Sequence, residues 1–195
     1  LRSAERPLAC FVTDLLPMTP ARTPLSTATG LALILLPLIA VCLKCLSFGW
    51  MMVMVMFGPI FVLAIGYTLQ LVIASQAFLS RRAALQSAAT RKRATVAAWL
   101  TSVGVVVFGV FMPDGGDSGY GSTFQVWLGA YSSPDAEAMH AATDAPNQVI
   151  AWIAAVVWIG AFLWLVVEWV IGLVQRRRAR RAAAAADPQF AAPLA

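Results

Sequence analysis

From Gly30 to Ser80 the chain runs through 51 residues that carry a single charge, Lys44. A helix rising 1.5 Å per residue crosses a hydrocarbon core of about 30 Å in about 20 residues, so this tract is long enough to cross twice. Ser47-Phe48-Gly49 is the best turn within it. That turn divides the tract into span 1 at residues 29–46 and span 2 at residues 50–76, a transmembrane hairpin over residues 29–80. Pro37 and the Gly58-Pro59 pair predict kinks, because each proline removes a backbone donor and crowds the preceding turn.

Two further apolar tracts follow. Span 3 covers residues 96–112 and stops at Pro113-Asp114-Gly115-Gly116, which cannot continue a helix. Span 4 covers residues 148–174, with Asp144 expected to cap its free amides and Pro146 suited to its first turn. Charge orients the four. The connection at residues 81–95 holds Arg81, Arg82, Arg91, Lys92 and Arg93, and span 4 is followed by Arg176, Arg177, Arg178, Arg180 and Arg181. Short segments rich in Arg and Lys stay on the cytoplasmic side. Thirteen of the 14 basic residues then share one side, and Lys44 is the exception.

The expectation is an all-α integral membrane four-helix bundle with both termini cytoplasmic. Composition supports it: 60% of residues are hydrophobic and 12% charged, against about 25% charged in a soluble domain. The preference for Arg over Lys, with abundant Ala, Gly and Pro, points to a GC-rich bacterial genome, and so to the bacterial plasma membrane. The net charge of +5 lies at span edges and forms no aromatic-interleaved groove, so nucleic acid is not an expected partner. Trp152, Trp158, Trp164 and Trp169 fall on several faces of span 4, as interface anchors do.

The ends are read as cytoplasmic. Residues 1–28 form a leading segment in which Met18 is a candidate natural start, and no small-x-small site follows the first apolar tract, which is expected to be retained. Residues 175–195 are basic, then rich in Ala and Pro, with little surface to bury. The outer loop at residues 113–147 contains five acids and no Lys or Arg. Its opening, PDGGDSGYGS, is flexible by composition; Phe124, Val126, Trp127, Leu128 and Tyr131 can cover the span mouths, and Ser133-Pro134-Asp135 starts a short helix. Asp114, Asp117 and His140 could build a cation or partner site, but Asp114 and Asp117 lack the alternating ligand spacing of a calcium loop, so the expectation is a solvated loop that avoids positive charge because it is translocated.

Three other constellations carry chemistry. Glu168 is the only acid inside a span. It shares a heptad face with Ala154 and Ala161, with Gly172 one turn on, so it points at protein. Counted from the cytoplasmic span ends, Gln70, Thr101 and Ser102 join it in an intramembrane polar layer. Glu168 is then either a proton or cation carrier or a carboxylate paired with Arg176 or with an arginine of the 81–95 connection.

Cys42-Leu43-Lys44-Cys45 is a C-x-x-C pair at the outer end of span 1; the two are expected to be buried thiols that pack as small apolar groups, or else a redox pair in which Lys44 would favour a thiolate. With Met52 and Met56 across the turn, the two cysteines also form a soft set of the kind that selects Cu(I). A four-span chain with such a pair after its first span is similar to the disulfide-generating quinone reductases of bacterial membranes. Those enzymes carry a second cysteine pair in the second outer loop, and residues 113–147 contain none.

No hydrolase, zincin, phosphate-loop or dinucleotide fingerprint occurs, and no cofactor or metal is expected. The expected role is therefore a non-enzymatic accessory or structural subunit of a membrane complex, with the lipid bilayer and other subunits or a second copy as partners. The alternatives are a small proton- or cation-coupled transporter using Glu168, and a thiol-redox or Cu(I)-binding protein using Cys42 and Cys45.

Overall fold

The computed structural model describes residues 24–47, 49–80, 85, 88–116, 119–129 and 134–185. Arg81, Arg82 and Asp117 lie outside them, as do both chain ends. The fold is about 90% helical, and among the described residues four helices are long and apolar enough to cross a membrane.

Helix α1 (Pro24–Lys44) continues into a 3-10 turn at Cys45–Ser47. Helix α2 (Trp50–Phe57) follows the predicted turn, and α3 (Ile60–Ile73) passes into a wider π-helical segment, Ala74–Leu79. The predicted kink at Gly58-Pro59 is a full break. Gly58 has φ −128° and ψ −79°, off the helical region, and Pro59 has no N–H to carry the ladder across. Pro37 is accommodated inside α1.

Helix α4 (Ala88–Phe111) begins eight residues before the predicted span 3, so Arg91, Lys92 and Arg93 stand on its first turns rather than in a loop. Ala88, Ala89 and Ala94 explain the extension, since alanine is the strongest helix former. After α4 the stretch expected to be flexible folds into an antiparallel hairpin, β1 (Asp114–Gly116) with β2 (Gly119–Gly121). Short α5 (Thr123–Trp127) comes next.

Helix α6 (Ala136–Ala185) is one continuous 50-residue helix with Pro146 inside it. The short helix expected after Ser133 and span 4 are therefore one element. Asp144 sits within that helix and does not cap its start.

Contacts fix the course of the chain. Ser26 Oγ donates to Phe78 O and Tyr67 OH to Ile34 O, so α1 and α3 are antiparallel. A Cβ on Gly109 would lie 3.1 Å from Ala40 O, and Lys44 Nζ donates to Met112 O, so α1 and α4 are parallel. Arg93 meets Glu168 and Gly104 meets Trp158, so α4 and α6 are antiparallel. Gly104 is needed there, because a Cβ would stand 3.1 Å from the Trp158 backbone. The course is up, down, up, down, and residues 24 and 185 belong to the same end.

The apolar core is not spread evenly. It gathers Leu33, Ile73, Ala77, Phe78, Leu85, Ala94, Ala98 and Leu165 in the half of the bundle near Glu168. Small residues on α4 and on the Ala151, Ala154, Ala161 stripe of α6 let these helices approach closely. In the other half α3 leaves the bundle. Residues 57–65, across the Gly58-Pro59 break, are exposed on every side.

Candidate functional site

Lys44, the charge that broke the topology rule, is buried together with Asp114 at the hairpin end of the bundle. Their side chains are 7% and 0% exposed, with Nζ 3.9 Å from Asp114 Oδ2. The ammonium donates to Met112 O at 2.7 Å and to Ser47 Oγ at 3.2 Å. Asp114 Oδ2 accepts the backbone N–H groups of Gly49 and Met52, each at 3.1 Å. A carboxylate 65 residues away in sequence therefore caps the first turn of α2, where free amides and the helix dipole favour an anion. Gly49 makes this possible, because a Cβ would fall 2.5 Å from Gly115 O and 2.6 Å from Asp114 Oδ1.

Beside this pair lies a buried polar plug. Ser122 and Gln125 form a capping box at the start of α5. Gln125 Nε2 also donates to Thr143 Oγ1 and Asp144 Oδ1, and Asn147 Nδ2 donates to Ser122 Oγ. Thr123 Oγ1 donates to Leu43 O and is hydrogen-bonded to Ser47 Oγ. The plug thus ties α1, its turn and α6 together. Trp127 and Leu128 are exposed, and Phe124 stacks on Phe111 at 5.0 Å.

The other ionisable pair closes the basic end. Glu168 Oε1 accepts from Arg93 Nε at 3.0 Å and from Trp164 Nε1 at 3.2 Å. The partner is an arginine from residues 81–95, as one of the two expectations had it, and it reaches Glu168 from the second turn of α4. A carboxylate near that helix start also offsets the unfavourable placement of three basic residues at a positive dipole end. Arg93 is 58% exposed and Glu168 only 6%. Glu168 Oε2, Ser102 Oγ and Trp169 Nε1 are buried without a hydrogen-bond partner.

The expected polar layer is divided. Gln70 donates to Leu33 O, and the α1–α4 register sets Leu33 level with Thr101 and Ser102. Glu168 faces Arg93, eight and nine residues back along α4, or about 12 Å at 1.5 Å per residue. Helix α4 starts at Ala88, so Thr101 and Ser102 lie deeper than a span beginning at residue 96 would put them. Thr101 meanwhile donates to Ala97 O in its own helix.

Cys42 and Cys45 are free thiols, and both are exposed rather than buried. Met52 is half-buried, and the side chain of Met56 lies outside the described residues. His140 Nδ1 lies 3.7 Å from Asp144 Oδ1. Among the described residues no three His, Cys, Asp or Glu side chains converge on a point that could hold a metal. Arg176, Arg177, Arg178, Arg180 and Arg181 follow one another on the last turns of α6, mostly exposed.

Where α3 leaves the bundle, a cleft of about 660 Å³ opens between it and α1, α4 and α6. Its walls are apolar, among them Val41, Leu63, Phe108 and Trp158, with Gln70 at one end and Lys44 at the other. Compared with protein-family models, curated proteins and solved structures, the chain matches none.

Two signals for the missed residues were present in the sequence. Ser122-Thr123-Phe124-Gln125 fits the S-x-x-Q capping box. A lone lysine at one span end and an acid just past another span on the same side make a natural pair.

Proposed function

We propose that this chain is a multi-pass protein of a bacterial plasma membrane that serves as an accessory or structural subunit of a membrane complex. Residues 81–95 and both termini then face the cytoplasm, and the Lys44 end with residues 113–147 faces outward. The up-down-up-down course and the basic residues on one end support that orientation.

The observation that carries the subunit reading is the α2–α3 arm, an apolar segment exposed all round at residues 57–65. A spanning segment that packs on its own bundle only near one end leaves its other surfaces for a neighbouring helix. Photo-crosslinking tests this in intact cells. A benzophenone amino acid at Phe61, 73% exposed on α3, should give a discrete protein adduct, while the same group at Val156, 71% exposed on α6, should not. Equal adducts at both positions, or none, would reject the arm as the docking element.

A second reading is favoured by one observation: Glu168 Oε2 is buried without a hydrogen-bond partner. In that reading Glu168 carries a proton or cation. Glu168→Gln in proteoliposomes separates the two, since a carrier loses ion-coupled flux and a structural pair loses none.

A further inference from the structure

The cleft between α3 and the other three spans has the dimensions of a particular occupant. Its α3 wall runs from Ile60 to Gln70, ten residue steps or about 15 Å, which is half of a hydrocarbon core of about 30 Å. That is the reach of one leaflet's acyl chain and half of what a spanning helix needs. The Tyr67 to Ile34 and Gln70 to Leu33 hydrogen bonds close it at the middle of the bundle. At its other end stands Lys44, the one Lys or Arg among the described residues of that half. Two of the three ammonium donors are used, by Ser47 Oγ and Met112 O. Asp114 is beyond hydrogen-bond length from Nζ, at 3.9 Å.

We propose that the cleft holds an acyl chain of a phospholipid from the outer leaflet, with the lipid phosphate at Lys44. A volume of about 660 Å³ falls in the range of preformed apolar ligand sites, about 300–1,000 Å³. The walls supply apolar contact along the chain. The remaining ammonium donor, whose charge is offset by Asp114 at 3.9 Å, supplies one charge-assisted hydrogen bond to the lipid phosphate. The inference rests on the membrane reading above, and its test keeps the two apart.

Gly66 is the position to fill, because it lines the cleft and a Cβ there meets nothing within 4 Å. Wild-type protein is reconstituted in vesicles of equal parts phosphatidylglycerol and phosphatidylcholine, floated on a density gradient, then extracted in mild detergent and assayed for retained lipid. The wild type should float and retain about one phospholipid per chain, as a single preformed site does. Gly66→Trp should float and elute as the wild type does, with retention reduced about tenfold. Gly66→Leu should reduce it less and Gly66→Ala hardly at all, so the graded series stands even if the tryptophan variant misfolds. Protein that does not float would refute the membrane reading, and this proposal with it. Floating protein whose retention is the same across the series would refute the cleft alone. A wild-type dimer that Gly66→Trp splits would assign the cleft to a second copy.

Discussion

The Lys44–Asp114 pair at one end of the bundle and the Arg93–Glu168 pair at the other are built in opposite ways. At the hairpin end, Lys44 and Asp114 are both enclosed, and the acid is fixed by two backbone amides. At the basic end, enclosed Glu168 meets an arginine that is more than half exposed. Coulomb attraction is weakly screened between groups withdrawn from solvent and strongly screened when one is in contact with it. The first pair therefore holds two hairpins in register, and the second tolerates adjustment. The apolar core lies at the second pair's end, so the hairpin end depends on polar contacts for its cohesion.

That contrast predicts a ranking. Asp114→Ala should be the most damaging change, at about 3–5 kcal/mol, because it strands the buried ammonium and uncaps α2. Unfolding in mixed micelles followed by circular dichroism measures it; a loss near that of a surface change would erase the distinction between the ends. Gly49→Ala should follow at about 1–3 kcal/mol, since the added methyl must displace the Gly115 carbonyl or the Asp114 carboxylate. Equal stability to the wild type would mean that α2 need not approach Asp114 closely.

Glu168→Gln should cost no more than about 1 kcal/mol. The amide oxygen still accepts from Trp164, and an ion pair with a half-exposed arginine contributes little. A loss as large as that of Asp114→Ala would make the two pairs equivalent. Smallest of all, replacing Cys42 and Cys45 together with Ala should change stability by less than about 0.5 kcal/mol, because both are exposed. A reducible bond between them that cycles with a quinone would instead make this region a redox site.

Much of the fold was legible from hydropathy alone. The four helices, the turn at Ser47 to Gly49, the interruption at Gly58-Pro59 and the buried Ala154, Ala161, Glu168 face follow from span length, backbone chemistry and heptad spacing. Boundaries were less legible where helix propensity continues past hydropathy. Alanines carried α4 back over Arg91, Lys92 and Arg93, and an alanine-rich segment fused the outer helix to span 4 through Pro146. The partnership of Lys44 with Asp114 was hidden for another reason. It is set by which loops meet at the hairpin end, and a pattern along one segment does not report on its neighbours. The hairpin at Asp114 to Gly121 was obscured likewise, since a glycine-rich composition reads as freedom until Asp114 is anchored.

The most direct measurement is a double-mutant cycle on Lys44 and Asp114, using Lys44→Met and Asp114→Asn, read as unfolding free energy in mixed micelles. Asparagine keeps an oxygen for the Gly49 and Met52 amides, and methionine keeps the length of the lysine stem, so the cycle isolates the charge pair. The account predicts that Lys44→Met alone is strongly destabilising. The double variant should recover much of that loss, giving a coupling of about 1.5–3 kcal/mol. Additivity within about 0.5 kcal/mol would contradict the claim that this buried pair joins the two hairpins.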